Sequence, residues 1–172
     1  MQSADGNIQI QAAAIVEAQL EKGLFPDRLL DSVREQHGLL LELVYGAIRW
    51  RASLEWMIRE LAPRPPALRL RALLLTGLYR LLYMNSAKPY FVVSECVDAA
   101  RAAGAEKAAR FVNAVLRNAL RRRRELLSGV ARQKPEIRLS CPEDLFRRWT
   151  DQWGREDAVR LCKWNNRRAR TV

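Results

Sequence analysis

A chain of 172 residues that is 49% hydrophobic can bury one real core, with at most a fragment of a second unit, so disorder is excluded as its general state. One histidine and three scattered cysteines leave no basis for a histidine metal site, a CxxC cage or a disulfide framework, and they point to buried thiols in a reducing compartment. A formal charge of +11 directs attention to polyanionic partners, and 8 Gly and 7 Pro among many Ala, Leu and Arg favour helix.

Apolar residues recur at helical spacing along the whole chain. A first helix is expected from about Asn7 to Lys22, with Ala12, Ile15, Val16 and Leu20 inward and Gly23 as its stop. After a turn around Pro26 to Asp31, Leu39, Leu43, Gly46, Ala47 and Trp50 form a stripe that Leu54, Trp56, Met57 and Leu61 continue until Pro63, Pro65 and Pro66 end it. The next helix is expected from Ala67 to Met84, and Pro89 opens another that runs through Ala102. Gly104 then precedes a helix from about Glu106 to Leu127. A pattern break across Ser128 to Ser140 suggests a linker at 129–140. Beyond it, Pro142, Glu143 and Asp144 start two short helices separated by Gly154, which carry Leu145, Trp149 and Trp153 and then Ala158, Leu161 and Trp164 as their apolar residues. Period-two alternation and Asn-Gly or Asp-Gly hairpin signals are missing, so the fold class is all-α. No stretch has the apolar length of a membrane span, and the short acidic start is unlike a signal peptide, which makes the cytoplasm the expected location. The chain stops at Asn165-Asn166-Arg167-Arg168 without a finishing element, as a truncated second unit would.

Charge is distributed unevenly. Met1 to Pro63 holds 6 basic and 9 acidic residues, whereas Arg64 to Val172 holds 24 basic and 10 acidic. Of the basic residues 25 are Arg, whose planar fork grips phosphate and stacks on bases. GC-rich codon usage would explain the preference for Arg but not the one-sided excess. The helix after Gly104 carries an apolar face of Ala108, Phe111, Val112, Val115, Leu116 and Ala119. Opposite it stand Lys107, Arg110, Asn113, Arg117, Arg121 and Arg124, with Arg122 and Arg123 extending the end. A row of guanidiniums repels itself, and nucleic-acid phosphate relieves that repulsion. For any single arginine a solvated face is the simpler account; for the whole row RNA is the better one. Asn113 suits an RNA contact and a bond to a neighbouring loop or helix end equally. Arg49 and Arg51 around Trp50, and Arg147 and Arg148 before Trp149, could clamp a backbone and stack a base, although both tryptophans also fit the core.

Catalytic signatures are missing from this sequence: no glycine-rich loop follows a strand, and His37 has no Ser or Cys partner. No catalytic, cofactor-binding or metal-ligating residue is therefore assigned.

Three segments occur in a telling order: Glu42-Leu43-Val44-Tyr45-Gly46-Ala47-Ile48-Arg49-Trp50, Gly77-Leu78-Tyr79-Arg80-Leu81-Leu82-Tyr83 and Phe111-Val112-Asn113-Ala114-Val115-Leu116-Arg117. With Leu54-Glu55-Trp56 and Ser94-Glu95-Cys96-Val97, they resemble the NusB-like N-terminal domain of the bacterial 16S rRNA cytosine-C5 methyltransferases (the RsmB, or Sun/Fmu, family). The resemblance covers nearly the whole chain, and from Cys141 onward it extends to the opening of the methyltransferase part itself. Tyr90-Phe91-Val92-Val93 is bulkier than the family's usual small-residue run. The resemblance implies a NusB-like helical bundle over 1–128, a linker over 129–140 and the truncated start of a methyltransferase subdomain over 141–172. It implies 16S ribosomal RNA and the chain's own C-terminal methyltransferase domain as partners, with neither membrane nor metal. S-adenosylmethionine and a nucleophilic cysteine belong to that further domain. Cys96, Cys141 and Cys162 lie outside the family's Pro-Cys and Thr-Cys contexts and inherit no role. Two other readings stay open, a free-standing NusB-type transcription antitermination factor and a protein-interaction bundle whose charge serves solubility.

Overall fold

The computed structural model describes residues 7–30, 37–84, 88–103 and 106–167. Gly104, Asp31, Arg168 and the side chain of His37, each given a place in the sequence reading, lie outside the described residues. Within them the chain forms eleven helices and no strand: α1 (Ile8–Lys22), α2 (Asp27–Leu30), α3 (His37–Arg49), α4 (Arg51–Leu61), α5 (Leu68–Leu82), α6 (Pro89–Ala102), α7 (Glu106–Arg121), α8 (Arg123–Ala131), α9 (Pro135–Arg138), α10 (Glu143–Trp153) and α11 (Arg155–Asn165). The all-α expectation holds.

Local chemistry sets several of these ends. The Asn7 side chain accepts from the Gln9 backbone N–H and caps α1, while its Nδ2 donates to the Glu95 carbonyl at 2.9 Å and ties α1 to α6. Gly23, at φ 64°, closes α1 in the left-handed conformation that a Cβ disfavours. Pro89 takes the first position of α6, where its missing N–H costs nothing.

Helix α5 is the axis of the bundle. It packs against α1, α3, α4, α6 and α7, and every residue from Ala72 to Leu82 is buried. A helix that is apolar on every side needs such a jacket. Two polar members of that run find partners: Thr76 donates to the Leu73 carbonyl, and Arg80 pairs with Glu95 of α6 at 2.5 Å.

The three recognised segments meet here. Tyr79 Oη donates to Glu42, one turn on the Tyr79 ring lies over Gly46, and one turn further Trp50 packs on Tyr83 with centroids 5.0 Å apart. These are i, i+4 steps along α3 and α5, which place one residue per turn on a shared face. From the other side Leu116 of α7 approaches Gly77 of α5.

Four details differ from the sequence reading. The stripe across Trp50 is two helices, because Trp50 adopts φ −100° and ψ 18° between α3 and α4. The helix expected from Glu106 to Leu127 likewise breaks at Arg122 (φ −94°, ψ 15°). The stretch 129–140 carries the end of α8 and all of α9, and it is bonded into α4: buried Ser53 donates to the Ile137 carbonyl at 2.6 Å, and the Ser53 backbone N–H donates to Ser140 Oγ. Pro135 starts α9, a role that a break reading overlooks. Finally, α10 and α11 close over a small core of Leu139, Phe146, Ala158 and Cys162, with Trp149 at its edge. Phe146, not Leu145, fills that core, and Trp153 and Trp164 face outward, the latter 65% exposed with Arg167 over its ring. Two short helices can bury only a narrow face, and bulky indoles do not fit within it.

Candidate nucleic-acid interface

Helix α7 has the sharpest division of faces in the chain. Ala109, Val112, Val115, Leu116 and Ala119 are buried against α5 and α6, with Phe111 half-buried beside them. Ala109, not Ala108, takes the inward position at the start of the stripe, a shift of one residue around the wheel. On the outer side Lys107, Arg110, Arg117 and Arg121 are exposed. Among the described residues none of these four reaches a carboxylate within ion-pair distance.

The remaining members of the expected row fall out differently. Asn113 is half-buried, and its Oδ1 accepts from Arg117 Nε at 2.9 Å, so it orients a guanidinium within the row instead of bonding a loop or helix end. Arg124 is exposed but stands on α8, past the break at Arg122, so α7 does not position it. Arg122 and Arg123 are tied into the bundle. Arg122 donates to both carboxylate oxygens of Glu125, at 2.9 and 2.6 Å, and to the Glu60 carbonyl in the last turn of α4. The Glu125 bond, first among several causes, raises the Arg122 guanidinium above its ordinary value. Arg123 donates to the Leu82 carbonyl at the end of α5. Carbonyls in the last turn of a helix have no intrahelical partner and attract cations. These two arginines therefore close helix ends.

Between α6 and α7 runs a groove of about 640 Å³. Arg110, Asn113 and Arg117 line one wall; Tyr90, Ser94 and Arg101 line the other. Glu106 is the one carboxylate among the lining residues, and it already accepts from Arg101 Nε at 3.0 Å. Arg101 also bonds Asp98, and Glu106 contributes first to raising its guanidinium above the ordinary value. The groove is therefore basic, with its one acid neutralised. Tyr90 was not singled out by helical periodicity; the signal available in the sequence was a large aromatic in the first turn after Pro89, a position that faces outward as easily as inward.

The other basic-aromatic pairs favour packing. Trp50 is half-buried against Tyr83, Arg51 pairs with Glu55 at 3.3 Å, Arg147 pairs with Asp144 at 2.9 Å, and Trp149 borders the small core. Two cysteines are held as thiols. Burial pushes Cys96 up to about 12, and burial followed by the neighbouring Cys141 pushes Cys162 to about 12. Among the described residues no group of three or more His, Cys, Asp and Glu is placed to hold a metal, and no helix is long and apolar enough to cross a membrane.

Comparison with known proteins bears on the bundle as a whole. The NusB family model matches residues 7–121, the span from the Asn7 cap to the end of α7. The chain is 31% identical over 159 residues to the ribosomal RNA small subunit methyltransferase B of Klebsiella pneumoniae, covering 86% of this chain and 36% of that protein. It is 32% identical over 135 residues to the probable ribosomal RNA small subunit methyltransferase B of Bacillus subtilis, covering 75% of this chain and 30% of that one. An Escherichia coli protein of the former name is 32% identical over 159 residues. The chain thus spans about a third of the length of the curated relatives it matches. With the helices, the contacts among the three segments and the matched span in agreement, this chain belongs to the NusB family.

Proposed function

We propose that this chain is the RNA-positioning part of an S-adenosylmethionine-dependent 16S rRNA (cytosine-C5) methyltransferase, and that it places ribosomal RNA for a catalytic domain outside these residues. The observation that carries this reading is the reach of the likeness. Matches to the methyltransferases cover up to 87% of the chain, which takes them beyond residue 121, where the NusB match ends. A free-standing antitermination factor would have no counterpart for α10 and α11. Residues 1–128 would form the RNA-binding unit, 129–140 the join, and 141–172 the start of the methyltransferase part.

Lys107, Arg110, Asn113, Arg117, Arg121 and Arg124 are the proposed contacts. The exposed arginines and lysine would follow backbone phosphates and give affinity and register, with Asn113 holding Arg117 in place. S-adenosylmethionine does not fit the residues present: the described fold has no strand leading through a glycine-rich loop into a helix, so no step of methyl transfer is assigned to them. The partners implied are 16S rRNA and the parent's own methyltransferase domain, and the setting is the cytoplasm.

The test is binding to a 16S rRNA hairpin and to an unrelated hairpin of equal length across a salt series. Tighter binding to the ribosomal hairpin with a steep salt dependence is expected. A steep slope without preference would leave only a general phosphate clamp. No binding at low salt would contradict the RNA reading and favour a protein-interaction bundle.

A further inference from the structure

Two large aromatic side chains stand in the first turn of α6 with much of their surface in water: Tyr90 is 66% exposed and Phe91 51%. Their rings are 5.1 Å apart and tilted at 54°, in contact with each other. Tyr90 lines the same groove as Arg110, Asn113 and Arg117. An aromatic ring, two guanidiniums without a carboxylate partner (Arg110 and Arg117) and an amide thus line one cavity, whose volume of about 640 Å³ is in the range that takes a small organic ligand.

We propose that the α6–α7 groove is a seat for one unpaired ribonucleotide, with its base stacked on Tyr90 and its phosphate held by Arg110 and Arg117. The proposal rests on the RNA reading above and adds to it a choice of RNA form. Each element fits one part of a nucleotide. Guanidiniums with no carboxylate partner suit the phosphate. The π-face of Tyr90 suits any base, because stacking on an aromatic is tolerant of sequence. Asn113 Oδ1 is occupied by Arg117, which leaves the Nδ2 hydrogens to donate to a base carbonyl or ring nitrogen. Glu106, the one lining acid, is engaged by Arg101 and does not repel the phosphate. Bases inside an A-form duplex cannot be stacked in this way, so the seat selects loops, bulges and single strands.

The experiment compares the chain with a Tyr90→Ala/Phe91→Ala double variant on an unpaired RNA and on a blunt duplex with the same number of phosphates, each across a salt series. Circular dichroism checks that both proteins are folded, as the exposure of the two rings leads one to expect. The variant should lose about tenfold in affinity for the unpaired RNA, keep its affinity for the duplex and keep the salt slope. Tyr90→Trp, which preserves a stacking face, should bind the unpaired RNA as well as the parent. Equal affinity of parent and double variant for unpaired RNA, with the steep salt slope intact, would overturn the seat while leaving the RNA reading standing, and would assign the aromatic pair to a protein contact. An equal loss on both RNAs would also overturn it, as a general effect of the substitutions. Absence of salt-dependent binding by the parent would overturn both.

Discussion

At Gly46 the fold has no room for a side chain, since a Cβ built there would lie 2.0 Å from the Tyr79 ring. The ring cannot retreat, because its hydroxyl is bonded to Glu42 and its other side stacks near Tyr83 at 5.7 Å. Gly46→Ala should therefore cost about 3 kcal/mol, the upper end for overpacking a core, and urea unfolding would measure it. A loss below about 0.5 kcal/mol would mean that α3 and α5 can separate. Arg80 is 8% exposed and its partner Glu95 26%. Removing the carboxylate leaves a nearly buried guanidinium uncompensated, so Glu95→Ala should destabilise by about 2 kcal/mol, less than for a wholly buried pair because Glu95 keeps some water. Cys96 links stability to pH. Its thiol titrates near 9.0 when unfolded and is raised to about 12 in the bundle, so above pH 9 the unfolded chain releases its proton first. Stability should fall from about pH 9 toward 12, and Cys96→Ala should make that fall shallower in urea titrations at pH 8 and 10.5.

Among the elements, the ends of helices fall into two kinds. Those written by local chemistry, Asn7 before α1, Gly23 after it and Pro89 opening α6, were legible in the sequence. Those made by tertiary contacts were not. Nothing in Arg-Arg-Arg-Arg announces a helix break, yet Arg122 departs from helical geometry with its guanidinium bonded to Glu60 and Glu125. The row on α7 was legible because a 16-residue helix with one apolar face fixes what lies opposite. Which arginines are spent on helix ends was not, since a guanidinium that binds a carbonyl and one that waits in water look alike in sequence. The groove was hidden for a related reason: it needs α6 beside α7, a juxtaposition that periodicity within one helix does not encode. The division yields a paired expectation. Arg122→Ala should lower the melting temperature by a few degrees and leave the salt slope of RNA binding unchanged. If it reduced the slope as much as an α7 substitution, Arg122 would belong to the RNA contact after all.

For the whole molecule, one core unites α1 through α8, and a small second core under α10 and α11 adjoins it through Ser53 and α9. Among the described residues, the bundle presents along α7 a row of basic side chains without carboxylate partners, while Arg80, Arg101, Arg122 and Arg123 are held in ion pairs or at helix ends. On this account the scaffold makes the row rigid and the row makes the affinity. The most direct test is the salt dependence of RNA binding for the chain and for Arg110→Ala/Arg117→Ala/Arg121→Ala. An unchanged fold and a logarithmic slope reduced by about 2 to 3, one phosphate contact for each arginine removed, are expected. An unchanged affinity and slope in a folded triple variant would contradict this expectation and remove α7 from RNA recognition.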